Sequence, residues 1–197
     1  MNDNRVRTIT GIAMLAAIIV LLQTTATFIR PGLIPVNLVL PAVVIGASMY
    51  GAKAGAFLGL CFGGVVLTSG ITGTAPMSTM MWAANPILMT IATLGRGAAQ
   101  GYIAGITFSH FSKKNVQDGV LAAAIVAPIT NTGIFLAALI LFFRPTLIHF
   151  AGETNIFYHA FIVMAGTNFV IELFVNVGLV SVIMRIMNAV KTVRASA

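Results

Sequence analysis

From Ala54 to Gly95 the chain carries no charged side chain, and from Gly119 to Phe143 it carries none again. A helix crosses the hydrocarbon core of a bilayer with roughly 20 apolar residues. Stretches this long without charge are membrane-spanning material. The whole chain agrees: 58% of its residues are hydrophobic and 8% are charged, where a soluble domain carries roughly 25% charged residues. So few charges cannot clothe a soluble surface. The chain reads as an all-α integral membrane protein, with residues 1–197 forming a single transmembrane domain.

Six apolar spans are expected, at about Ile9–Phe28, Val36–Tyr50, Ala54–Thr68, Ala84–Phe108, Gly119–Phe143 and Tyr158–Val190. The second and third are short for a bilayer, and the last is long enough to project beyond it. With the N-terminus inside, Arg5, Arg7, Lys53, Lys113, Lys114, Arg185, Lys191 and Arg194 collect on the cytoplasmic side. Only Arg30 and Arg144 collect outside. That bias places both termini in the cytoplasm. It also accounts for the net charge of +7 without nucleic acid, because the basic residues stand singly at the ends of apolar runs. The first apolar run is too long for a cleavable signal peptide. The single Cys61 allows no intrachain disulfide.

Two loops then face outward, "RPGLIP" (Arg30–Pro35) and "TSGITGTAPMSTMMWAANP" (Thr68–Pro86). The second is long and uncharged and ends in Trp82 and Asn85. It reads either as a lid over a binding site or as a connector with Trp82 at the membrane interface. Gly51, Gly55, Gly59 and Gly63 recur four apart, as do Ala13 and Ala17. On a helix each set lines one face and lets another backbone approach closely, within this chain or from a partner.

Against this background Arg96, in "TIATLGRGAAQGYIAG" (Thr90–Gly105), stands out. It lies about 12 residues below the outer end of its span, ~18 Å deep at 1.5 Å per residue. An ionisable side chain at that depth is a functional-site hypothesis by default. In the last span Asn168, Glu172 and Asn176 share one helix face, with Glu172 ~21 Å down. In the fifth span Asn131 lies ~18 Å down. Asn85, Arg96 and Gln100 fall close to one face of the fourth span. Arg96, Asn131 and Glu172 are thus expected at one level. Either Arg96 and Glu172 form a buried ion pair that fixes packing, or they line a polar cavity in which the guanidinium fork holds a ligand carboxylate and the amides take its neutral groups. The number of amides favours the ligand site.

Enzyme signatures are absent: no HExxH, GxSxG, phosphate loop or CxxC occurs. His110, His149 and His159 sit near span ends, and no metal constellation is legible. There is no ATP-binding motif, so energy must come from a partner chain or an ion gradient.

The segment "LIPVNLVLPAVVIGASMYGAKAGAFLGLCFGG" (Leu33–Gly64) resembles the second and third helices of S components of energy-coupling factor (ECF) vitamin transporters. "TLGRGAAQGYIAG" (Thr93–Gly105) is similar to that family's fourth-helix segment, with Gly95 where many relatives have proline. "ITNTGIF" (Ile129–Phe135) and "NFVIEL" (Asn168–Leu173) are similar to its segments in helices five and six. The resemblance implies a six-helix, N-in/C-in bundle in the plasma membrane of a prokaryote. It implies an outward-facing substrate site, for which Arg96, Asn131, Glu172, Asn168, Gln100, Asn85 and Trp82 are the candidates here. It also implies that Ala13 and Ala17 contact a transmembrane T subunit, and that two cytoplasmic ATPases hydrolyse ATP for a subunit that carries no cofactor of its own and topples in the membrane. Few aromatics are expected at depth, which disfavours a flavin or pterin. A branched hydroxy acid with an amide fits better; the resemblance is strongest to the pantothenate-type branch, and pantothenate has those groups, so it is the leading substrate, with folate and riboflavin as alternatives. A structural or assembly protein with an architectural Arg96–Glu172 pair is the rival from another class, and an intramembrane enzyme a third.

Overall fold

The computed structural model describes residues 3–28, 39–151 and 167–195, and these are helices joined by short turns. In chain order they are α1 (Asp3–Phe28), α2 (Leu40–Tyr50), α3 (Ala52–Ile71), α4 (Pro76–Ala84), α5 (Pro86–Phe111), α6 (Val116–Phe142), α7 (Arg144–Ala151), α8 (Thr167–Gly178) and α9 (Val180–Ala195).

Three of them, α1, α3 and α6, are long and apolar enough to cross a membrane. A fourth span results if α8 and α9, which meet at a 44° bend, count as one. The sequence predicts six. The start of the expected second span and the Arg30–Pro35 loop before it fall in residues 29–38, outside those described; the described helix there has 11 residues, about 16 Å at 1.5 Å per residue. The helix at the fourth, α5, has 26 residues, but Arg96, Gln100 and its glycines keep its composition from marking it as a span. The expected sixth span is broken at Leu179, and its beginning falls in residues 152–166, outside those described. Two features weaken the helix there. Gly178 costs about 1 kcal/mol relative to alanine, and Asn176 Nδ2 donates to the Glu172 carbonyl at 2.8 Å, drawing that oxygen off the ladder.

The stretch Thr68–Pro86 is mostly helical rather than a loop. Helix α3 continues to Ile71, and α4 fills Pro76–Ala84. Pro76 in the first turn has the φ a helix start needs, and Gly73 takes the left-handed turn before it at φ 76°. Asn85 then caps α5, its side chain accepting from the Leu88 amide at 3.0 Å.

The glycine repeat finds its partner inside the chain. A side-chain carbon at Gly59 would meet the Gly97 carbonyl, one at Gly55 the Gly101 carbonyl, and one at Gly63 the Thr93 carbonyl. Thus α3 and α5 pack backbone against backbone along the Gly55–Gly59–Gly63 and Gly97–Gly101 seam, the close approach that small residues permit. Gly51 does different work: at φ 89° it makes the turn from α2 into α3.

Helix α2 is the centre of the bundle. Leu40 to Ser48 are all buried, and α2 touches α1, α3, α5, α6, α8 and α9. At the α9 end the core is made of small aliphatic residues, with Val44 and Ala47 of α2, Ala104 of α5, Ala123, Ala124 and Ala127 of α6, and Val180 and Ile183 of α9. At the α4 end a separate methionine-rich core joins Met77 and Met81 of α4 to Met89 of α5 and Leu136 and Leu139 of α6.

Candidate functional site

The short central helix decides where a site can be. Val39 and Val43 pack with Leu58, Phe62 and Val66, so α2 begins at the level of Phe62. Helix α3 runs on from Phe62 to Ile71, about 14 Å further. Among the described residues α3, α5 and α6 continue into that half, and α4 packs against α3 and α5 there.

Arg96 projects into this region. Its guanidinium carbon lies 4.8 Å from the centroid of the Phe135 ring on α6 and 5.7 Å from that of Phe62 on α3. Both distances lie within cation–π range, worth about 0.5–2 kcal/mol each depending on desolvation. Arg96 Nε is buried with no hydrogen-bond partner among the described residues. Glu172 on α8 is 2% exposed, and its charge acts on Arg96. Next to Arg96 is a cavity of about 10 Å³, lined by Thr93, Met89 and Phe135 together with Ser78 and Met81 from α4. That is room for about one water, with α4 forming a wall. On its other side Arg96 borders an apolar groove of about 260 Å³ between α5 and α6, walled by Ile91, Gly95, Ile134 and Leu141.

The Arg96–Phe135 contact fixes the register of the antiparallel pair α5–α6. Gly119 against Phe108 and Ser112 gives the same register at the α9 end. One turn from Arg96 toward α9 comes Gln100, and one turn from Phe135 the same way comes Asn131. On α8, one turn from Glu172 comes Asn176. Gln100 and Asn176 are fully buried and Asn131 is 2% exposed. Two polar levels result. Arg96 and Glu172 form the first, and Gln100, Asn131 and Asn176 the second. Sequence depth alone sets Asn131 level with Arg96; the helix register sets it opposite Gln100.

The other candidates fall as follows. Trp82 is half-buried and packs on the methionine-rich core. Asn85 uses its carbonyl oxygen to cap α5. The side chain of Asn168 lies outside the described residues. Ala13 and Ala17 are both exposed on α1, which leaves that face open. Sequence reasoning missed Phe62, Phe135, Ser78, Met81 and Thr93, and it set Asn176 on the face of Glu172 without counting it among the site residues. Phe135 was findable, since it is one helical turn from Asn131. Among the described residues no group of three or more His, Cys, Asp or Glu could hold a metal ion.

The sequence model of the family described as "ECF transporter, substrate-specific component" matches residues 7–185. No curated protein matches the chain.

Proposed function

Because the chain belongs to the ECF transporter substrate-specific component family, we propose that it captures a water-soluble vitamin acid, with pantothenate the best candidate, and hands it to a T subunit driven by two ATPases. Family membership makes the chain the substrate-specific subunit of a membrane transporter. The substrate is the finer step. One observation carries it: an arginine set between the helices of an apolar bundle, with two phenylalanine rings beside it and a cavity against it. A guanidinium presents a fork of N–H donors that matches a carboxylate, which is how arginine recognises such anions.

In this reading the α4 end faces outward, both termini are cytoplasmic, and the protein sits in the plasma membrane of a prokaryote. The substrate enters under α4, which moves to enlarge the small cavity. Ala13 and Ala17, exposed on α1, form the face that meets the T subunit. The expectation of few aromatics at depth is not met, because Phe62 and Phe135 stand beside Arg96, so folate and riboflavin stay as the alternative substrates. The test is a pantothenate titration of purified protein, followed by calorimetry or thermal shift. Saturable binding that weakens at least ten-fold in Arg96→Lys is expected. A protein that ignores pantothenate but responds to riboflavin or folate would redirect the substrate assignment. Indifference to every vitamin acid would leave Arg96 and Glu172 as an architectural pair.

A further inference from the structure

The second polar level has chemistry that packing does not explain. Gln100 Nε2 and Oε1, Asn131 Oδ1 and Asn176 Oδ1 are all buried and have no hydrogen-bond partner among the described residues. A buried amide group without a partner costs about 1–3 kcal/mol. Helix α6 packs against both α5 and α8, and each of the three places one carboxamide at this level. Beyond it toward α9 lies an apolar core, with Ala104, Ala127 and Val180 one turn on from Gln100, Asn131 and Asn176 respectively. The carboxamides thus mark the floor of the polar region.

We propose that Gln100, Asn131 and Asn176 form a second subsite that binds the neutral polar end of the substrate. This rests on the reading that Arg96 holds the carboxylate. Carboxamides offer donors and acceptors together, so the subsite takes an amide or a hydroxyl and refuses an alkyl end, which would leave the buried groups unpaired. The two levels are one helical turn apart, about 6 Å along the axis. The geometry therefore selects short acids that carry an amide or hydroxyl about that far from the carboxylate. It selects against fatty acids and other acids with an apolar tail.

The experiment compares Gln100→Met, Asn131→Leu and Asn176→Leu with the wild type in detergent, using pantothenate as probe and melting temperature and calorimetry as readouts. If the amides await a ligand, each apolar replacement leaves the ligand-free melting temperature unchanged or higher. Pantothenate affinity falls at least ten-fold, and the ligand-induced shift shrinks accordingly. If the amides instead bond to one another as a packing network, the variants melt lower without ligand, and the proposal is overturned. Unchanged pantothenate affinity in all three variants also overturns it while leaving the Arg96 assignment standing. Failure of the wild type to bind pantothenate defeats the substrate assignment instead. The ligand-free melting temperatures still decide between subsite and network in that case.

Discussion

Removing both charges of the first level separates a ligand site from a structural pair. Arg96→Ala alone is a poor test. It deletes two ring contacts and leaves Glu172, 2% exposed, as a buried carboxylate without its counter-charge. Breaking a buried pair from one side costs about 3–5 kcal/mol, a large part of a total stability of about 5–15 kcal/mol. Arg96→Leu with Glu172→Gln avoids this, because it removes both charges together and keeps side-chain volume. Replacing a buried ion pair by well-packed neutral groups is often neutral or stabilising, so the double variant is expected to melt within a few degrees of the wild type. Its affinity for pantothenate should fall by about 2–5 kcal/mol, the usual cost of truncating one partner of a buried charge pair, or roughly 30-fold at the low end. Its affinity for the uncharged alcohol, pantothenol, should change little. Calorimetry with both ligands on both proteins closes the cycle. A folded double variant that binds pantothenate as tightly as the wild type would refute the argument that Arg96 holds the acid.

Three other outcomes are expected. Ala13→Trp or Ala17→Trp places a ring on the exposed face of α1, so uptake in cells should be lost while pantothenate binding to the purified subunit survives; loss of binding instead would show that α1 shapes the cavity. Spin labels at Thr74 and Ala84, exposed before and at the end of α4, should lose mobility on saturation with pantothenate, and identical spectra with and without it would mean that α4 does not close on the ligand. Gly59→Leu forces α3 and α5 apart at the Gly97 carbonyl, at a cost of at least about 1–3 kcal/mol for overpacking; a melting temperature equal to wild type would show that the two backbones are not held in contact there.

How much of this was legible depended on what each residue's role rests on. Apolar runs depend only on composition, and they located α1, α3 and α6 to within a few residues. The glycine spacing showed a small-residue face but not its partner, because a stripe of glycines fits any backbone. Only the contacts with Gly97 and Gly101 settle that the seam is internal. Residue counting along each span set Asn131 level with Arg96, whereas the helix register sets it one turn away, opposite Gln100. The counting assumed equal starting heights for the spans, whereas register is set by which side chains touch, here Arg96 and Phe135. The shortness of α2 was visible in the sequence. Its place at the centre of the bundle was not, because that depends on which other helices pack around it. Phe62 sits among glycines and carries no polar signal, so nothing in the sequence marked it as a companion of an arginine in the fourth span.

The aliphatic core at the α9 end sets a limit on transport. Val44, Ala104, Ala127 and Val180 are each no more than 7% exposed, and they close directly behind the three carboxamides. Interiors packed at this density pass no solute without being taken apart. If the proposed site at Arg96 holds the substrate, the described helices offer it no corridor past this floor. Under that proposal, net movement from one side of a membrane to the other would require the subunit itself to change the side its site faces.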